Sequence, residues 1–199
     1  MSNDATDAAH ETRALSFMLA GAAGMAIMAF ALGAWLGTPL PPMLKATPMG
    51  IASGVAATVP LAALLMLLMR SKHAAVARFR DEQLDFLSGI GFRLTPWRIF
   101  AISLAAGVSE ELLFRGFAQS WTIEQYGMLA GLAGPSVVFG LLHARNAAYA
   151  AIAGLVGLYL GMLFVITGDL VAPIVTHAIY DYIALDVTRR ALAGRSSIE

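Results

Sequence analysis

Six apolar stretches, each close to the length needed to cross a bilayer, dominate this sequence: Leu15–Leu36, Met49–Met69, Trp97–Phe117, Met128–His143, Ala147–Ile166 and Leu170–Leu185. A helix needs about 20 apolar residues to traverse the hydrocarbon core. Hydrophobic residues make up 58% of the 199-residue chain against 13% charged, a balance that does not suit a soluble globule. The expected fold is therefore all-α, a polytopic membrane helical bundle with about six transmembrane helices.

Charge and proline divide the chain. Residues 1–14 are a polar tail, and the long apolar run after them marks a retained helix rather than a cleaved signal. Residues 15–69 form a transmembrane hairpin whose turn is set by Thr38-Pro39-Leu40-Pro41-Pro42, where proline stops a helix. Residues 70–96 are a basic connection with room for an interfacial helix, residues 97–187 hold the remaining spans, and residues 188–199 are a basic tail. Arg70, Lys72, Arg78, Arg80, Arg93 and Arg98 lie in or beside the connection, Arg145 in a later loop, and Arg189, Arg190 and Arg195 in the tail. With both termini cytoplasmic, these residues and Arg13 share one side of a cell membrane and leave only Lys45 outside. A net charge of zero gives no argument for nucleic acid, and the absence of cysteine removes disulfides, thiolate nucleophiles and Cys-based metal sites. Small-residue pairs recur as Gly33/Gly37, Gly50/Gly54, Gly127/Gly131 and Gly157/Gly161, a spacing that suits close helix approach within one chain or a dimer face.

The third stretch contains Ser109-Glu110-Glu111-Leu112-Leu113-Phe114-Arg115-Gly116. Charged side chains at membrane depth are costly and functional by default. Glu111 and Arg115 are i,i+4 neighbours suited to a self-neutralising structural pair, whereas Glu110 is turned about 100° away and can face a cavity. Later stretches add Phe139-x-x-x-His143 and His177-x-x-x-Asp181. Asp181 falls on the same helical face as His177, from where it can hold the ring by a hydrogen bond.

Carboxylates and imidazoles on separate apolar segments point to acid/base chemistry. No serine stands in a G-x-S-x-G context, and no H-E-x-x-H motif is present. Two histidines and a glutamate could still hold zinc. The other option is hydrolysis without metal or cofactor: Glu110 deprotonates a water beside His143, and His177 with Asp181 steadies the oxyanion. An ionised carboxylate cannot donate a hydrogen bond. Asp181 thus acts either protonated, as a donor, or ionised, by orienting His177, and the shared face favours the second.

The three ordered motifs, with the Thr167-Gly168-Asp169-Leu170 approach to the last, resemble the CAAX prenyl protease and bacteriocin-processing (CPBP, or Abi) family of membrane glutamic endopeptidases over residues 94–185. That resemblance implies a helical membrane fold with a cavity open to the cytosol and a metal-independent endopeptidase. In it Glu110 and His143 activate water, His177 and residue 181 form the oxyanion site, and Glu111 and Arg115 support the first motif. The implied partners are the lipid bilayer and a membrane-associated protein or peptide substrate, lipidated or not. Two other classes compete: a non-catalytic scaffold or bacteriocin-immunity protein, and a small transporter or proton relay. In a flat topology Glu110 lies over half-way across from the cytoplasmic start of its segment, while His143 closes the next one. For the two to share a water, the fourth segment continues past His143 or the third begins in the interface.

Overall fold

The computed structural model describes residues 2–89 and 92–196, and every regular element among them is helical. Helix α1 spans Ser2–Trp35, so residues 2–14 belong to the same helix as the first apolar stretch. Neither proline nor glycine occurs before Gly21 to break it. The tail is also tied down: Glu11 is buried and accepts from Arg93 Nε (3.0 Å) and Arg98 Nη1 (2.7 Å). The proline-rich turn forms a short 3-10 helix, Pro41–Met43. Helix α2, Pro48–Arg70, starts with Thr47 accepting from Gly50 N–H and with proline at its first position, both favoured there.

The basic connection contains an amphipathic helix, α3 (Ala74–Gly89), with Leu84 as its buried residue. Helix α4 (Pro96–Glu111) begins behind the Thr95 cap and runs on without a break through a π-helical segment, Leu112–Gln119, into α5 (Ser120–Tyr126). Three helices follow: α6 (Met128–Leu142), α7 (Ala147–Thr167) and α8 (Val171–Ser196). Gly168 ends α7 in the left-handed conformation (φ 59°), where glycine carries no Cβ penalty.

Among the described residues three helices are long and apolar enough to cross a membrane, His10–Trp35, Pro48–Arg70 and Ala147–Thr167, and Met128–Leu142 is a shorter apolar one. The remaining expected spans lie within α4 with its π extension and within α8, the helices that carry the charged motifs. Glu111, Arg115, Gln119, Thr176 and His177 are buried, while Phe17, Ile27, Leu67, Leu129 and Ile166 are exposed. Such an apolar exterior around a polar interior suits a helical membrane bundle, where lipid replaces water outside.

Close backbone approaches make the polar interior possible. A Cβ on Gly107 of α4 would lie 2.8 Å from the Ala178 nitrogen of α8. Thr176 donates to the Gly54 carbonyl at 2.9 Å, joining α8 to α2. Two of the glycine pairs act within the chain: Gly50 faces Asp169, Gly54 faces Ala172, and Gly157 and Gly161 face Arg115 and Gln119. In the α7–α8 turn, buried Asp169 accepts from Thr47 N–H (3.0 Å), Thr47 hydroxyl (2.8 Å) and Val171 N–H (3.0 Å). Burial opposes its ionisation, but these donors more than offset that and hold its carboxyl below the usual range. This knot joins the start of α2 to the start of α8, the helix that carries His177.

Candidate functional site

The site begins where α4 widens. After Glu111 the backbone passes into the π segment, a local geometry that often marks functional positions. Ser120 hydroxyl donates to the Arg115 carbonyl at 3.0 Å, supplying a partner inside the altered turn. Arg115, 2% exposed, reaches two helices: Nη1 donates to Glu111 Oε1 (2.8 Å) and Nη2 to the Gly157 carbonyl of α7 (2.7 Å). One turn later Gln119 repeats the reach, donating to the Gly161 carbonyl at 3.0 Å. The Gly157/Gly161 spacing therefore bares two carbonyls to the π segment, which a packing reading of that motif does not show.

Glu111 is fully buried, and its Oε1 accepts a second hydrogen bond, from His177 Nδ1 at 2.8 Å. It is thus more than half of a self-neutralising pair with Arg115. It fixes the His177 ring with the Nδ1 proton directed at Glu111 and Nε2 turned away. Asp181 lies on the other edge, Oδ2 3.4 Å from Nε2. The shorter of the two contacts that orient His177 comes from Glu111, and Asp181 makes the longer one. The two acids approach from different helices, and helical spacing displays only the one on α8.

Glu110 points elsewhere, as its angular offset predicts. Its Oε2 lies 3.6 Å from His143 Nε2 and 3.9 Å from His177 Nε2, distances too long for hydrogen bonds. That oxygen is buried and has no hydrogen-bond partner among the described residues. His143 is aimed by the residue one turn before it. Nδ1 lies 2.8 Å from the Phe139 carbonyl, a bond that uses the Nδ1 proton and leaves Nε2 facing Glu110. The ring stacks on Phe139 with centroids 4.3 Å apart, and the Arg115 guanidinium lies 4.8 Å from that same phenyl ring. Phe139 thus links the histidine to the buried arginine, a role outside the reading of its motif.

Helix α6 ends at Leu142, with His143 as its cap, so the fourth segment does not continue past His143. Glu110, His143, His177 and Asp181 line one cavity of about 350 Å³, walled by apolar residues of α2, α3, α7 and α8 such as Leu61, Leu84, Val156 and Leu185. On its other side Glu110 borders an apolar hollow of about 310 Å³ between α1 and α4. Among the described residues no group of three or more His, Asp or Glu has a geometry suited to a metal ion.

The fold and site define a class: a helical membrane protein with a buried carboxylate–imidazole cluster opening on a cavity. Residues 92–183 match the Rce1-like family, described as type II CAAX prenyl endopeptidase Rce1-like. The match spans all three motifs, and at the level of the family it supports a CAAX-protease-like membrane endopeptidase. Helices α1–α3 lie outside it. No curated protein and no solved structure matches the chain significantly.

Proposed function

We propose that the protein hydrolyses a peptide bond in a membrane-associated protein or peptide, with Glu110 as general base and no metal. The observation that carries this reading is the Glu110 carboxylate oxygen: buried, without a hydrogen-bond partner, between two imidazole Nε2 atoms, on the wall of a cavity. A water held between Glu110 and His143 Nε2 loses a proton to Glu110 as its oxygen adds to the scissile carbonyl carbon. The resulting oxyanion takes a hydrogen bond from protonated His177 Nε2, whose ring Glu111 has already oriented, so little reorganisation accompanies the reaction. Collapse breaks the C–N bond, and Glu110 returns the proton to the departing amine. The catalytic unit is residues 97–187. The protein spans a cell membrane several times with both termini cytoplasmic, which puts α3 and the arginine-rich tail on the inner face.

The test is hydrolysis of a fluorogenic peptide mixture by protein purified in detergent containing a strong chelator. Activity should persist and should not rise when zinc is added. Loss on chelation with recovery by zinc would make Glu110, His143 and His177 ligands instead. Proton flux in liposomes without any peptidase activity would favour a relay.

Asp181 has a narrower role than Glu111. Its carboxylate faces the same Nε2 that serves the oxyanion, so it steadies the protonated ring, and a neutral amide there can itself donate. Asp181→Asn should keep turnover within about tenfold of the parent, whereas Asp181→Ala should lose about 10²-fold, the scale of one oxyanion donor. Initial rates across pH decide this. An Asn variant as impaired as Ala would show that the negative charge itself is required.

A further inference from the structure

The cavity rim carries an arginine that forms no ion pair among the described residues. Arg145 lies two residues beyond His143 in the α6–α7 turn and lines the same cavity as Glu110, His143, His177 and Asp181. Its hydrogen bonds go to neutral groups: Nη1 donates to Gln83 Oε1 of α3 and Nη2 to the Tyr149 hydroxyl of α7, both at 2.9 Å. Its guanidinium carbon lies 4.4 Å from the Phe86 ring centre and 4.1 Å from that of Tyr149. None of the ion pairs among the described residues includes it. The acid nearest in sequence to its Gln83 partner, Glu82, accepts from Asn146 Nδ2 at 2.9 Å and makes no ion pair with Arg145. The other arginine of the cavity, Arg80, differs: Nη1 donates to the Met69 and Ser71 carbonyls, and Nε lies 3.6 Å from Asp81.

Two of the five guanidinium N–H groups are used, and aromatic contacts fix the plane without neutralising it. That combination suits a bidentate carboxylate. The catalytic end of the cavity has the opposite character. Glu110 and Asp181 face it, and an acidic ligand there meets like charge at short range. A carboxylate entering this cavity therefore has one favourable resting place, at the rim.

Building on the peptidase reading, we propose that Arg145, held by Tyr149 and Gln83, is a specificity-determining carboxylate subsite. It selects peptides whose carboxylate, from the chain terminus or an acidic side chain, lies close to the bond presented to Glu110.

The test measures binding to the full chain in detergent, in a Glu110→Gln background so that probes are not consumed. Three fluorescent peptides share one leucine–alanine–valine sequence. One ends in a free carboxylate, one in a carboxamide, and one in a carboxamide with glutamate as the last residue. The free acid should bind at least about tenfold more tightly than the plain amide, the scale of a charge-assisted hydrogen bond. Adding Arg145→Gln should bring that ratio close to one, and Arg145→Lys should restore part of it. The glutamate probe identifies the source: equality with the acid means a side-chain carboxylate is taken, and equality with the amide means only the terminus is. An acid-to-amide ratio near one with Arg145 present, a ratio unchanged by Arg145→Gln, or no measurable binding of the acid overturns the subsite. Each ratio compares probes on one preparation, so a misfolded fraction cancels. Absence of hydrolysis by the parent chain would count against the peptidase reading and leave these ratios readable.

Discussion

Glu110→Gln is expected to abolish hydrolysis, by about 10³-fold or more, while the protein remains folded and melts at the parent temperature. The size follows from general-base catalysis, which alone contributes roughly 10²–10⁴-fold. The unchanged stability follows from the geometry. No hydrogen bond among the described residues ends on Glu110 Oε2, and its nearest imidazole nitrogens are 3.6 and 3.9 Å away. Glutamine has nearly the same shape, and it removes a negative charge from beside Glu111 and Asp181. The measurement pairs peptide turnover with thermal unfolding of both proteins in the same detergent. An equal fall in melting temperature would make Glu110 a structural residue. Retained turnover would move the base elsewhere, with Asp181 the next carboxylate on the cavity wall.

Arg115→Met should produce the largest loss of stability. The guanidinium is 2% exposed and joins α4's π extension to α7 through Gly157 and to Glu111 within its own helix. Removing it leaves the fully buried Glu111 carboxylate with only His177 to compensate it, and stranding one partner of a buried ion pair costs roughly 3–5 kcal/mol. Melting temperature and detergent-extractable yield report the change. Glu111→Gln should lose both stability and turnover, because Glu111 Oε1 also orients His177. A Glu111→Gln protein with normal melting and no activity would mean that Glu111 serves the chemistry alone. Normal activity in that variant would remove His177's orientation from the mechanism.

The legible part of this protein was local. Apolar run length, proline stops and glycine caps depend on neighbours within one or two turns, so the helical segments and most of their ends could be read directly. The angular offset between Glu110 and Glu111 likewise follows from helix geometry, as does the pairing of Glu111 with Arg115. Polarity alone does not show where a helix begins, as residues 2–14 illustrate by continuing α1. Polar residues do not end a helix unless their side chains compete for the backbone, and Glu11 instead found Arg93 and Arg98, more than eighty positions away.

Partnerships between helices were not legible. That Glu111 rather than Asp181 makes the closer bond to His177 depends on how near α4 and α8 come at Gly107 and Ala178, a distance no spacing rule supplies. The π segment is equally hidden, because it is sustained by tertiary bonds from Arg115 and Gln119 to two carbonyls of α7. Hydropathy and helical period are short-range properties, so an apolar helical chain with charges in three ordered motifs is written in the residues themselves. Which carboxylate oxygen faces the cavity without a hydrogen-bond partner and which holds an imidazole follows from helix packing, because hydrogen bonds discriminate between neighbours by fractions of an ångström set by the placement of whole helices.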